Sequence, residues 1–175
     1  QRNSAQIQSA LQVLISSQPN AIIIISTYVS SAALSRELLQ RDVKAQIMNV
    51  SFVGTRALEQ SLPVGLANGI GVSQVVPFPW DRWIPVVADY QRLMRINNSS
   101  ARFGFTSLEG FMAAKLITEG IKRVQGPLTK ESLITSLKSI KKVDLGGFQL
   151  DLSSNNKQAS DYVELTFFGA QQWEP

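Results

Sequence analysis

The chain has no cysteine and no histidine among its 175 residues. Without cysteine there are no disulfides, no thiolate metal sites and no thiol nucleophiles. That absence leaves the compartment open, because exported proteins do not all carry disulfides. Without histidine the usual general base near neutral pH and the commonest zinc ligand are missing. Triad hydrolysis and zinc catalysis are both disfavoured. Charge is sparse as well. Charged residues make up 17% of the chain, seventeen cations against thirteen anions, for a net charge of +4. The densest basic run is Lys138, Lys141 and Lys142. A nucleic-acid binder concentrates its cations on a stripe, so scattered charge argues against a nucleic-acid partner. Long apolar runs are lacking too: the longest, Ala21 to Ile25, is far too short to span a bilayer.

What is present is a globular composition, 44% hydrophobic, with length enough for one domain with a real core. The chain opens on Gln1-Arg2-Asn3, with neither Met nor the basic and apolar regions of a signal peptide. Its N-terminus is therefore expected to be a cut one, made by processing or by the choice of expressed piece.

Helix and strand patterns alternate through the first half. Ile7, Ala10, Leu11, Leu14 and Ile15 share one helix face, with Asn3 or Ser4 as cap and Pro19-Asn20 as stop. Ala21 to Ser26 is a continuous β-branched run, which suits a strand buried on both faces of a parallel sheet. Ser30 and Ser31 precede a second amphipathic helix carrying Ala33, Leu34, Leu38 and Leu39. Strands follow at Gln46–Val50 and Gly71–Val76, with a short helix around Ala57 to Leu62 between them. The middle is helical. Pro85 suits a first turn, Thr106 and Glu109 have capping-box spacing, and Thr129 caps a further helix. Phe148–Leu152 and Tyr162–Phe168 read as closing strands; the second alternates Val163, Leu165 and Phe167 with Tyr162, Glu164 and Thr166. The alternation predicts an α/β fold with a parallel sheet.

Chemistry-bearing motifs are few. Gly65, Gly69 and Gly71 lack the spacing and following helix of a nucleotide-binding loop. The carboxylates show no paired spacing, and Glu109 reads as a helix cap. Asp81, between Trp80 and Arg82-Trp83, reads as a loop packed by aromatics. One geometric argument remains. In parallel α/β sheets ligands sit beyond the carboxyl ends of the strands. The first strand ends in Ser26-Thr27-Tyr28 and the second in Ser51-Phe52. These supply hydroxyls and aromatic surface, suited to holding a small molecule without transforming it. Ser26, Thr27, Ser30 and Ser31 suit ordinary capping of the next helix equally well.

A set of segments then comes in a specific order. It runs Arg2-Asn3, Pro19 to Ile23, Ser26-Thr27-Tyr28, Asn49 to Gly54 and Val72 to Pro77. It continues with Ser107 to Phe111, Asp144 to Gly147 and Asp161 to Leu165. That order, over essentially the whole chain, resembles the substrate-binding proteins of branched-chain amino-acid-type ABC transporters. The resemblance implies the type I periplasmic binding fold, an α/β architecture of three-layer lobes around parallel sheets that close on a ligand about a hinge. It implies that this chain is the C-terminal half only. Residues 1–76 would be part of the second lobe, 77–160 helices of the first lobe and hinge crossings, and 161–175 strands returning to the second.

The resemblance also implies a non-enzymatic, cofactor-free solute receptor in the periplasm or another extracytoplasmic space. A membrane permease would be its partner. The truncated chain would self-associate, adopt an exchanged arrangement, or take the missing chain from elsewhere. The alternative is the ligand-sensing ectodomain of a signalling receptor. In the family's amino-acid binders an aromatic at the position of Tyr28 lines the cleft, and another near Phe105 helps form the side-chain pocket. An acid near the position of Ser51 pairs with the ligand ammonium. With Thr27 and Phe52 from the strand ends, these form the expected ligand site. Here the acid is a hydroxyl, and a buried ammonium without a counter-charge is costly. An aromatic or aliphatic carboxylate, or a neutral solute, fits as well as an amino acid.

Overall fold

The computed structural model describes residues 4–153 and 158–169. Three short strands, β1 (Ala21–Ile24), β2 (Gln46–Asn49) and β3 (Gly71–Gln74), run parallel, in that order across the sheet. A fourth, β6 (Glu164–Phe167), pairs antiparallel with the far side of β3. The crossovers are α2 (Tyr28–Gln40), then a single 3-10 turn (Ser51–Val53) with α3 (Thr55–Gln60); α1 (Gln8–Ser17) precedes β1. The sheet is mostly parallel with helices between its strands, the α/β arrangement that the alternating patterns predict.

Among the described residues there are two cores rather than one. The chain divides into a unit of residues up to Val75 and from Val163 onward, and a unit of Val76–Tyr162. In the first, Leu11 of α1, Leu38 of α2, Leu58 of α3 and Ile22, Ile47 and Val72 of the strands share one core. Polar cross-links hold its far edge. Gln74 Nε2 donates to Thr55 Oγ1 at 3.0 Å and to Thr166 Oγ1 at 2.9 Å. In the second, α4 (Pro85–Asn97), α5 (Phe105–Lys122), α6 (Lys130–Ser139) and the hairpin of β4 (Lys142–Asp144) and β5 (Gln149–Asp151) surround Val86, Val87, Tyr90 and Leu108.

Several sequence expectations are corrected. β1 is buried on one face only: Ile22 and Ile24 point into the core, while Ile23 is 70% exposed. The same holds across the sheet, where Leu165 and Phe167 are exposed and Thr166 faces inward to Val72 and Gln74. Asn3 lies outside the described residues, as does the 154–157 loop, and Ser4 does not cap α1. Its Oγ accepts from the Gln6 N–H, and the helix begins only after Ile7. Ala10 and Ile15, assigned to the buried face, are exposed.

The second helix starts at Tyr28, three residues before Ser31. Thr106 and Glu109 do not form a capping box. α5 begins at Phe105 behind Gly104, whose N–H is taken at 3.0 Å by the buried Tyr90 hydroxyl of α4. Thr129, in contrast, caps α6 as expected, in a reciprocal pair with Ser132. Pro85 opens α4, and the Val86 N–H donates to the Gly146 carbonyl at 2.8 Å. Gly146 holds a φ of +110°, a conformation a side chain would strain. No described helix is long and apolar enough to cross a membrane.

Candidate functional site

The carboxyl ends of β1 and β2 lie side by side because the strands pair in register, Ile24 opposite Asn49. Each end turns directly into helical backbone. After β1 the chain extends through Thr27 and enters α2 at Tyr28. After β2 it makes the 3-10 turn Ser51–Val53, which Gly54 ends with a φ of +79°. Thr27, Tyr28, Ser51 and Phe52 therefore gather at one end of the sheet. Thr27 and Ser51 are half-buried, Tyr28 is 42% exposed and Phe52 61% exposed.

Beneath them is a polar tie. Asn49, buried at the last position of β2, accepts a hydrogen bond at Oδ1 from Ser31 in the first turns of α2. Its Nδ2 reaches the Gly71 carbonyl of β3 at 3.5 Å. Three elements that frame the strand-end face are thereby joined through one amide. Asn49 was legible as a strand residue, but nothing in its neighbours announces the tie.

The structure separates the site hydroxyls from the capping role that the sequence equally allows. Thr27 occupies the N-cap position of α2, yet its side chain makes no cap bond. Ser30 donates to the Ser4 carbonyl and Ser31 to Asn49. The first turn of this 13-residue helix thus has no side-chain cap, and it directs the positive end of its dipole to the strand-end face.

Phe105 belongs to the other unit. It is the first residue of α5 and packs within an aromatic group. Its ring centroid lies 6.1 Å from Phe78 and 6.3 Å from Trp80, the latter nearly edge-on. Phe78 and Trp80 are 5.0 Å apart. The sequence reading did not single out Phe78 and took Trp80 as loop packing; both rings pack against Phe105. The aromatic-proline alternation of Pro77-Phe78-Pro79-Trp80 was the available signal. Asp81 serves the turn, accepting from the Trp83 N–H at 3.0 Å, and Trp83 itself is 91% exposed rather than packed. Among the described residues no three acidic side chains gather as metal ligands would.

No family model and no curated protein sequence matches the chain. Solved structures do. A protein described as a possible leucine/isoleucine/valine-binding protein from Rhodopirellula baltica SH 1 is 33% identical, with a TM-score of 0.90, over 97% of this chain and 46% of that one. A substrate-binding periplasmic protein from Ralstonia solanacearum is 26% identical, with a TM-score of 0.86, over 97% of this chain and 48% of that one. The branched-chain amino acid transporter substrate-binding protein LivJ of Streptococcus pneumoniae, solved with isoleucine, has a TM-score of 0.70 over 95% of this chain; at 12% identity that likeness is one of fold. This chain has the type I periplasmic binding fold, and it matches leucine/isoleucine/valine-binding and related ABC-transporter substrate-binding proteins over about half their length.

Proposed function

We propose that this chain is the ligand-capturing part of an extracytoplasmic solute-binding protein that delivers a small molecule to an ABC transporter's membrane permease. The observation that carries this reading is the match to the Rhodopirellula baltica protein, in sequence and in backbone, across nearly the whole chain. The strand-end site supports it: paired carboxyl ends, a helix N-terminus without a side-chain cap, two hydroxyls and two exposed aromatics form a surface that binds rather than reacts. We assign residues 1–76 and 161–175 to one lobe and 77–160 to the other, with Thr27, Tyr28, Ser51, Phe52 and Phe105 as ligand contacts. The two compact units support that division. The protein acts as a receptor, not as an enzyme.

The ligand we propose is a small carboxylate without an α-ammonium group. The first-turn N–H groups of α2 and the hydroxyls of Thr27 and Ser51 can all donate to a carboxylate. Ser51 offers an ammonium one acceptor and no charge, and in a dry site that deficit is larger than in water. Calorimetric titration of the intact parent tests this with leucine, isoleucine and valine beside their keto and hydroxy acids. The acids are expected to bind and the amino acids to bind more weakly. Tight binding of an amino acid with no binding of its deaminated analogue would overturn the carboxylate reading.

A further inference from the structure

The sequence holds one Asn-Gly dipeptide, Asn68-Gly69, and the fold builds it into the turn that leads into β3. The Ile70 N–H closes that turn on the Ala67 carbonyl at 3.0 Å, and Gly69 holds a φ of +82° within it. A Cβ at Gly69 would meet nothing within 4 Å. Backbone conformation, not crowding, therefore calls for glycine here. Glycine in turn leaves the Asn68 amide open to attack, because no Cβ on the following residue hinders the approach of its nitrogen. Asn68 and Gly69 are both exposed, so water and base reach them. The nitrogen itself is held. The Gly69 N–H donates to the Phe168 carbonyl at 2.9 Å, and the Phe168 N–H donates to the Ile70 carbonyl at 3.0 Å. Gln46 Nε2 of β2 donates to the Gly69 carbonyl at 2.8 Å. Gly69 is thus clamped at its N–H by the residue after β6 and at its carbonyl by β2.

We propose that Asn68-Gly69 is a self-modification site whose reaction is gated by the Phe168 pairing. When residues 164–168 lift from β3, the Gly69 nitrogen loses its partner and solvent base removes its proton. The nitrogen then attacks Cγ of Asn68. A C–N bond forms, the bond from Cγ to Nδ2 breaks, and ammonia leaves with a proton from water. Water opens the resulting cyclic imide at either carbonyl, giving aspartate or isoaspartate. The balance is one water in and one ammonia out, with no oxidant or cofactor. Aspartate adds a negative charge. Isoaspartate also lengthens the main chain by a methylene just ahead of Gly71, which faces Phe167 across β3 and β6. A displaced Gly69 no longer meets the Phe168 carbonyl, so the reaction that opening permits also opposes re-pairing. The chain thereby keeps a covalent record of having opened. Asn98 is exposed as well, but Ser99 follows it, and its Oδ1 accepts from the N–H and hydroxyl of Ser100. Asn68 sits at the amino end of β3, away from the carboxyl ends of β1 and β2, and its chemistry stands whichever ligand they bind.

The test compares the 175-residue chain, a peptide of residues 64–73, and the variants Phe168→Ala and Gln46→Ala. All are held in warm, mildly alkaline buffer. Conversion is followed by the mass of the proteolytic peptide that carries Asn68, which rises by the difference between O and NH. Electron-transfer fragmentation separates isoaspartate from aspartate. Asn68 is expected to convert ahead of Asn98. It should convert at least about tenfold more slowly in the folded chain than in the peptide, since only the open fraction reacts. Both variants should convert faster than the starting chain at unchanged circular dichroism. Sub-denaturing urea supplies a readout that needs no variant: conversion of the starting chain should rise in step with hydrogen exchange of the Gly69 amide. Conversion of the folded chain at the peptide rate overturns the gate. So does a rate that ignores both substitutions or fails to follow exchange in urea. A peptide that does not convert, or a chain in which Asn98 reacts first, overturns the site.

Discussion

Ser31 and Ser35 lie one helical turn apart on the buried side of α2, and their hydroxyls are treated differently. Ser31 has Asn49 as partner; Ser35 Oγ is buried with none. A buried hydroxyl without a hydrogen bond has lost water and gained nothing in return. Ser35→Ala should therefore stabilise the chain by about 1 kcal/mol, read as a higher urea midpoint at unchanged slope. Ser31→Ala should act in the opposite sense, costing about 1–3 kcal/mol because it strands the Asn49 carbonyl oxygen. If both substitutions destabilise alike, the assignment of the two hydroxyls is wrong. Neither role was legible in the sequence, where Ser30-Ser31 read only as a helix start. The partner of Ser31 is eighteen residues away and is fixed by strand pairing.

Helices and strands were legible where local pattern decides them and illegible where distant chain does. Pro85 and the Thr129 cap were right because each acts within its own first turn. The start of α5 was misplaced because its backbone donor is satisfied by Tyr90, on another helix. β1 was read as doubly buried because a continuous apolar run records only its apolarity, not whether a second layer exists. The α4–α5 pairing makes a further expectation. Lys115 donates to Asp89 at 3.0 Å, and this hydrogen bond holds the Asp89 carboxyl below its ordinary pKa, against an opposing effect of burial. A depressed carboxyl stabilises the fold at pH values above its unfolded pKa, about 3.9, and that contribution is lost as pH falls through the folded value. The pair is partly exposed, Asp89 at 44% and Lys115 at 29%, so screening keeps the effect below about 1 kcal/mol. Asp89→Asn should thus weaken the fold slightly near neutral pH and flatten its loss of stability below about pH 4. Urea melts of both proteins across that range would check it; equal acid slopes would remove the pair from the account.

At the scale of the whole molecule, length and composition suggested one domain with one core, and the chain instead builds two. Periodicity could not foresee this, since amphipathic patterns say that a face is buried without saying in which core. The first core gathers Leu11, Ile22, Leu38, Ile47, Leu58, Val72 and Phe168, and the second Val86, Val87, Tyr90, Leu108, Met112 and Leu145. The two sets share no residue. The chain passes from one unit to the other after Val75 and returns after Tyr162. Cooperative opening follows shared packing. Leu38 and Leu108 are each fully buried, one per core. Truncation of either to alanine should cost about 2–5 kcal/mol through lost burial and a residual cavity. We expect Leu38→Ala to lower amide protection in β1, β2, β3 and β6 while leaving α4 and α5 unchanged, and Leu108→Ala to do the reverse. Hydrogen exchange followed by mass spectrometry resolves the two sets of peptides. Loss of protection in both sets from either substitution would mean that the two cores open as one cooperative unit, and the division at Val75 and Tyr162 would then describe geometry without describing stability.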